Sequence, residues 1–256
     1  MIDSHFHLDY LKADEQNIII QDALAEGVTH FMTISVSDTN LQTVIDLSNK
    51  YNEIYCTQGI HPHDASQYNE DVAKTIKENA NKHAKVLAIG EIGLDYHYDK
   101  SPRDIQKNAF IDQLSIATDL ELPIVIHTRD AEEDTREIIL NHAKNLTKKG
   151  VFHSFTSKLE LAEFALEQDY YIGFNGIITF KNAENVRKVV EITPLSRILL
   201  ETDSPFLTPT PHRGKENSPK YLKHIALKIA EIKKVSFEEV VQHSTKNFKD
   251  LFDPKI

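Results

Sequence analysis

The chain has 256 residues, of which 40% are hydrophobic and 27% charged, which is the profile of a globular protein and enough for one barrel of about 250 residues. Its formal net charge of -10 excludes broad non-specific adhesion to nucleic acid, but not a nucleic-acid substrate met by locally bound cations. One cysteine, Cys56, excludes a disulfide framework or a zinc-finger spacing, and no apolar run approaches the roughly 20 residues that span a bilayer.

At the N-terminus, Asp3 and two histidines stand where a signal peptide carries its basic segment. The apolar run 18–20 is too short for a signal core, so the expected location is cytoplasmic, with no membrane partner. No linker, repeat or low-complexity tract divides the chain, and residues 1–256 read as a single domain.

Short apolar runs alternate with helical patterns. The candidate strands lie near residues 2–7, 28–36, 54–61, 86–94, 123–127, 151–155, 170–175 and 198–203. Eight strand–helix units point to an α/β fold of the (β/α)8 TIM-barrel type. An open doubly wound sheet is the alternative, and no glycine-rich dinucleotide fingerprint supports it.

Between strands, Asp14 and Glu15 suit the positive end of a first helix that Gly27 closes. Leu41, Val44 and Ile45 give the second helix its stripe; Val72, Ala73, Ile76 and Ala80 give the third. Ser101-Pro102 reads as N-cap and first residue of the fourth helix. Asp130 is the expected cap of the fifth, which Gly150 is expected to end. Ser157 with Glu160, and Ser236 with Glu239, read as capping boxes. Val186, Val189 and Val190 face the seventh helix inward, and Ser218-Pro219 opens the eighth. A proline-stiffened connection, residues 204–217, follows the last strand and is expected over the barrel mouth.

In a barrel, chemistry gathers at the C-terminal strand ends. His5 and His7 are two apart in the first strand, so their rings share a face. The third strand runs into His61-Pro62-His63. The fourth holds Glu91 among apolar neighbours, where a lone carboxylate is costly to bury. The fifth ends at His127, the sixth holds His153, and the eighth ends at Asp203. Six donors, His5, His7, Glu91, His127, His153 and Asp203, suffice for two divalent ions bridged by a carboxylate, for which Glu91 is the choice. Such mixed nitrogen and oxygen donors accept zinc, manganese or, less tightly, magnesium. Glu201 shares parity with Asp203 and is a candidate to orient a ligand ring.

Seven stretches then resemble the TatD family of metal-dependent deoxyribonucleases, within the amidohydrolase-like barrels. They are DSHFHLD at 3–9, GIHPHDA at 59–65, IGEIGLDYH at 89–97, PIVIHTRDA at 123–131, FHSFT at 152–156, IGFNGIITFKNA at 172–183 and LLETDSPFLTP at 199–209. The family often has Cys and Gly after the strand-six histidine, where this chain reads Ser154-Phe155-Thr156. The resemblance implies the same six-residue dinuclear centre, with magnesium or manganese supporting activity. It also implies DNA as substrate, cleaved by a 3′-to-5′ exonuclease.

On that reading Asp203 binds metal and takes a proton from the attacking water, with Glu91 beside it. His63 contacts a phosphate oxygen or protonates the leaving group; Arg129 and, more weakly, Arg213 bind phosphate. Two other readings stand beside it. One is hydrolysis of a carboxyl ester or amide, such as aminoacyl-tRNA, favoured by the lack of Trp or an obvious stacking platform. The other is a metal-binding protein without turnover.

Overall fold

The computed structural model describes residues 1–254. Eight parallel strands, β1 (Ile2–Phe6), β2 (His30–Thr33), β3 (Ile54–Gln58), β4 (Val86–Asp95), β5 (Ile124–Arg129), β6 (Gly150–Phe152), β7 (Tyr171–Phe174) and β8 (Ile198–Leu200), pair strictly in sequence order. Helices α1 (Gln16–Ala25), α2 (Leu41–Lys50), α3 (Glu70–Lys82), α4 (Arg103–Leu120), α5 (Glu132–His142), α6 (Leu159–Glu167), α7 (Glu184–Ile192) and α8 (Leu222–Lys233) each follow a strand. A last helix, α9 (Phe237–Phe252), ends the described chain. An open doubly wound sheet would reverse its strand order part-way. This one does not, and it is a nearly closed (β/α)8 barrel.

Two layers of apolar side chains explain why these segments assemble. Parallel strands are buried on both faces, so their residues alternate between the inside of the barrel and the helix layer. Ile2, Met32, Tyr55, Leu87, Val125, Val151, Tyr171 and Leu199, one from each strand, form an inner cluster. Phe248, Leu251 and Phe252 of α9 join that cluster, so the terminal helix plugs the N-terminal end of the barrel. Only the C-terminal end is left for chemistry. Outside the sheet, the inner faces of α4, α7 and α8 (Phe110 and Leu114; Val186, Val189 and Val190; Leu222, Ile225 and Ile229) pack in the larger cluster.

The seam between β8 and β1 is closed largely by polar groups. Asp203 N donates to His5 O at 2.9 Å and His7 N to Ser204 O at 2.8 Å. Asp3, fully buried, accepts from Thr202 N at 2.9 Å and from the Thr202 hydroxyl at 2.5 Å. β8 therefore ends at Leu200, earlier than the sequence pattern implies, because residues 202–203 have turned across to β1.

Several helix ends differ from the sequence reading. α4 begins at Arg103 with Pro102 as its N-cap, while Ser101 is buried and donates to His63 O at 2.9 Å. Asp130 does not cap α5; Ala131 does, and Asp130 turns to His97 at 3.1 Å. α5 ends at His142, and Gly150 instead opens β6, where a Cβ would come within 2.2 Å of Ile124 O. Lys158, not Ser157, is the N-cap of α6, and Ser157 is buried. The cap Ser236 does accept from Glu239 N at 3.1 Å, and Gly27 follows α1 with φ 85°.

The seam supplies a test. Asp3→Ala leaves the Thr202 donors buried without an acceptor and should cost roughly 3 kcal/mol, read from urea unfolding midpoints. Burial pushes the Asp3 carboxyl up to about 7, against the opposing bonds from Thr202 and His5. A group raised in this way gives stability that is complete below its ordinary value and disappears as the pH rises through about 7. In metal-stripped protein, Asp3→Asn should therefore gain stability relative to wild type from about pH 4 to about pH 7 and level off above that. A pH-independent difference would show the carboxylate ionised throughout.

Candidate metal centre

β1 carries His5 and delivers His7 one residue beyond its end. β4 is the longest strand and wholly buried, with Glu91 at its middle and Asp95 at its end. Glycine at 93 (φ 142°) lets β4 and β5 approach closely, since a Cβ there would meet His127 O at 1.9 Å. His127 lies in β5, His153 follows β6, and Glu201 and Asp203 follow β8. Asp203 sits in the left-handed region (φ 56°), which Asp tolerates better than most residues.

Glu91 is the hub. His127 Nδ1 lies 2.9 Å and His153 Nε2 2.6 Å from its Oε1, with His61 Nε2 at 3.4 Å. His5 Nε2 is 3.5 Å from its other oxygen. Asp203 Oδ1 lies 3.4 Å from His7 Nε2 and 3.7 Å from His5 Nε2. The six side chains expected to hold metal thus converge on one point.

Burial works to raise the Glu91 pKa, but His153, His61 and His127 together hold it well below the usual carboxylate range. The same contest, with His7 the chief opponent of burial, lowers Asp203. Burial pushes His5 and His61 down to about 4, so both are neutral at ordinary pH. His127 goes the other way: its bonds to Asp95 and Glu91 overcome burial and raise it to about 9.

Donor chemistry and unmet polar atoms both fit divalent ions. Three groups place their donor atoms within 4.8 Å of one another: His5, His7 and Asp203; His5, Glu91 and His153; His61, Glu91 and His127. His5 Nδ1 and Nε2, His7 Nδ1 and His153 Nδ1 are buried without a hydrogen-bond partner among the described residues. Buried polar atoms are normally satisfied, so their concentration here marks a place for a ligand.

Sequence reasoning passed over two members. His61 sits at the N-cap of a short 3-10 turn (Pro62–Gln67), which is why the pattern of β3 does not point it at the centre. Asp95 accepts from His97 N at 3.1 Å and Tyr98 N at 2.8 Å with one oxygen. Its other oxygen meets His127 Nε2 at 3.0 Å and His63 Nε2 at 3.1 Å. The signal for Asp95 was available: it shares strand parity with Glu91 in IGEIGLD. Glu201 is buried with Oε1 accepting from Ser154 N at 2.5 Å, and it fits only because position 173 has no Cβ, which would lie 2.3 Å away. Burial, then Asp203, push Glu201 well above the usual range. Its carboxyl is 3.8 Å from His153 Nδ1, beyond hydrogen-bond distance.

A cavity of about 760 Å³ opens above these groups. His63 and Arg129 line it, as do Lys100, Tyr98, Tyr10 and Phe206. Arg213, expected at the phosphate, is not among the lining residues. Its guanidinium lies 3.7 Å over the Phe180 ring and donates to Thr208 O at 2.9 Å, bracing the loop from outside.

The family profile described as TatD related DNase matches residues 2–253. The chain belongs to the TatD family. The Bacillus subtilis relative YabD, named an uncharacterized metal-dependent hydrolase, is 41% identical over 253 residues, covering 98% of each chain. YcfH of Escherichia coli K12, given the same designation, is 37% identical over 258 residues, covering 98% of this chain and 95% of its own. The crystal structure of YJJV, a TatD homolog from E. coli K12, matches with a TM-score of 0.94 at 28% identity, covering 99% of this chain and 98% of that one. This TatD-family chain is a metal-dependent hydrolase, with histidine and carboxylate clusters able to bind the ions. No helix of the described residues is long and apolar enough to cross a membrane.

Adding zinc or manganese to metal-stripped protein at about 100 times Kd should stabilise it by about 2.7 kcal/mol, roughly 5–10 °C in melting temperature. Glu91→Gln should abolish most of that shift in a scanning calorimeter. His127 must lose its proton to become a ligand, so affinity should rise about tenfold per pH unit between about 7 and 9. Neutral His5 and His61 contribute nothing to that slope.

Proposed function

We propose that this TatD-family hydrolase cleaves DNA phosphodiester bonds, acting as a 3′-to-5′ exodeoxyribonuclease with two divalent ions. One observation carries this reading: a histidine–carboxylate centre opens into a cavity whose lip holds two cations ready for phosphate. Arg129 lies 4.8 Å and Lys100 5.9 Å from the ring of Tyr98, and neither is in an ion pair with a described residue. The family's printed name, a DNase, agrees with a phosphodiester substrate.

His5, His7 and Asp203 would hold one ion, His127 and His153 the other, and Glu91 both, with His61 a further donor. Magnesium, manganese or zinc suits such a set. Ions held there supply Lewis acidity to activate water and neutralise phosphate charge. Asp203, kept ionised by its histidines, accepts the proton of the attacking water. Arg129 binds a non-bridging phosphate oxygen. His63 is oriented by Asp95 at Nε2 and by Ser101 at its backbone carbonyl, which sets its ring at the cavity to meet a phosphate oxygen or the leaving group.

Asp203→Asn should lower kcat on single-stranded DNA by about 10²- to 10⁴-fold, with the fold intact by circular dichroism. Undiminished turnover by that variant would reject Asp203 as base. Arg129→Ala should raise KM more than it lowers kcat. The same preparation, run against a panel of carboxyl esters including aminoacyl-tRNA, decides the bond: faster ester than phosphodiester hydrolysis would overturn the nuclease reading.

A further inference from the structure

The cavity has two aromatic lips of opposite character. On one, Tyr98 is 55% exposed but occupied: Arg129 and Lys100 lie over its ring, and His63 meets it edge-on at 5.3 Å. On the other, Tyr10 and Phe206 are each 49% exposed and meet edge to face at 6.0 Å. No lysine or arginine lies over either of these two rings among the described residues. Tyr10 also stacks on His7, at 5.0 Å and 16°, which joins this lip directly to the metal centre.

Exposed aromatic pairs are costly to leave in water, and here about half of each residue stays open. Phe206 is held there by design of its loop. Its backbone N donates to Asp203 O at 2.9 Å, and Asn217 donates to its carbonyl at 2.5 Å. The ring is therefore presented by a braced loop one turn from the proposed base.

We propose that Tyr10 and Phe206 form an L-shaped clamp for one unpaired nucleobase beside the scissile phosphate, one ring against its face and the other against its edge, while the Tyr98 lip takes the phosphate backbone. The proposal rests on the phosphodiester reading above and assigns the substrate's base as well as its phosphate. The division follows charge: phosphates go to the lip that carries cations, and a neutral π-face goes to the lip that carries none. A base stacked and paired within a duplex has neither a free face nor a free edge to offer such a clamp, so the clamp selects single-stranded or frayed ends. It is also the stacking platform that the absence of tryptophan had argued against.

The test uses metal-loaded, full-length protein and a single-stranded hexathymidylate, alongside the same strand with a stable abasic residue at one end or the other. Cleavage is followed directly, and binding is followed by fluorescence polarisation with phosphorothioate-linked versions. Wild type should bind and cleave about tenfold less well when the clamped base is missing, the effect expected of one stacked base. Tyr10→Leu and Phe206→Leu should lose about tenfold on the full strand and nothing further on the abasic one, whereas Tyr10→Phe and Phe206→Tyr should keep wild-type behaviour. Equal losses by the leucine variants on both strands, or a wild type indifferent to the missing base, would overturn the clamp. Base-dependent binding without cleavage would uphold the clamp and refute the nuclease reading; cleavage without base dependence would do the reverse.

Discussion

Everything at the open end of this barrel depends on one buried carboxylate. Glu91 lies in a strand with no exposed residue, and four imidazole nitrogens surround it within 3.5 Å. An isolated carboxylate there would be too costly to keep ionised, and it would take up a proton instead. The histidines reverse that outcome, and each of them arrives from a different strand end. The carboxylate thus fixes where β1, β3, β5 and β6 must deliver their side chains. A shift of register by one residue on β1 or β5 would turn His5 or His127 to the other face and leave the charge less well met.

The seam shows how the fold supports that demand. β1 and β8 are far apart in sequence, yet His5, His7 and Asp203 must sit within a few ångströms. Asp3 and Thr202 hold the two chain segments at the level just below, and Asp203 N and His7 N complete the join with backbone bonds. The metal donors at the seam are therefore positioned by polar groups adjacent to them in sequence. Below that level α9 closes the barrel with an apolar cluster, tied to the start of β8 by Asn247, which donates to Leu195 O at 2.7 Å and Ile198 O at 2.8 Å.

What was legible in the sequence follows from periodicity. Strand alternation places His5 with His7, and the strand-end rule collects Glu91, His127 and His153, which lie on regular backbone or directly beyond it, and Asp203, which the turn across the seam brings to the same end. Positions reached through irregular backbone were not legible. His61 depends on a 3-10 turn, and Arg213 turns outward because Phe180 offers a closer partner than the cavity does. Local cap rules failed at Asp130 and Ser101 for a related reason. Each side chain found a tertiary partner, His97 in one case and the His63 backbone in the other, and tertiary partners outweigh a cap of about 1 kcal/mol. Asp95 was legible by parity but lacks an apolar setting as conspicuous as that of Glu91.

Charge at the centre links metal occupancy to the substrate. Glu91, Asp95 and Asp203 are all held ionised, while His5 and His61 are neutral. The raised His127 and His7 do not offset three carboxylates, so the protein's own groups leave the cavity floor acidic. A phosphodiester, the proposed substrate, would meet this acidic floor below Arg129 and Lys100 at the lip. Divalent ions held by these donors would reverse the sign and also displace the proton that His127 would otherwise keep. Under the proposed reading, the loaded centre becomes an attractive place for an anionic substrate in a chain of net charge -10. The proposed nuclease reading thus couples metal loading to substrate capture, while the acidic net charge works against non-specific adhesion to nucleic acid.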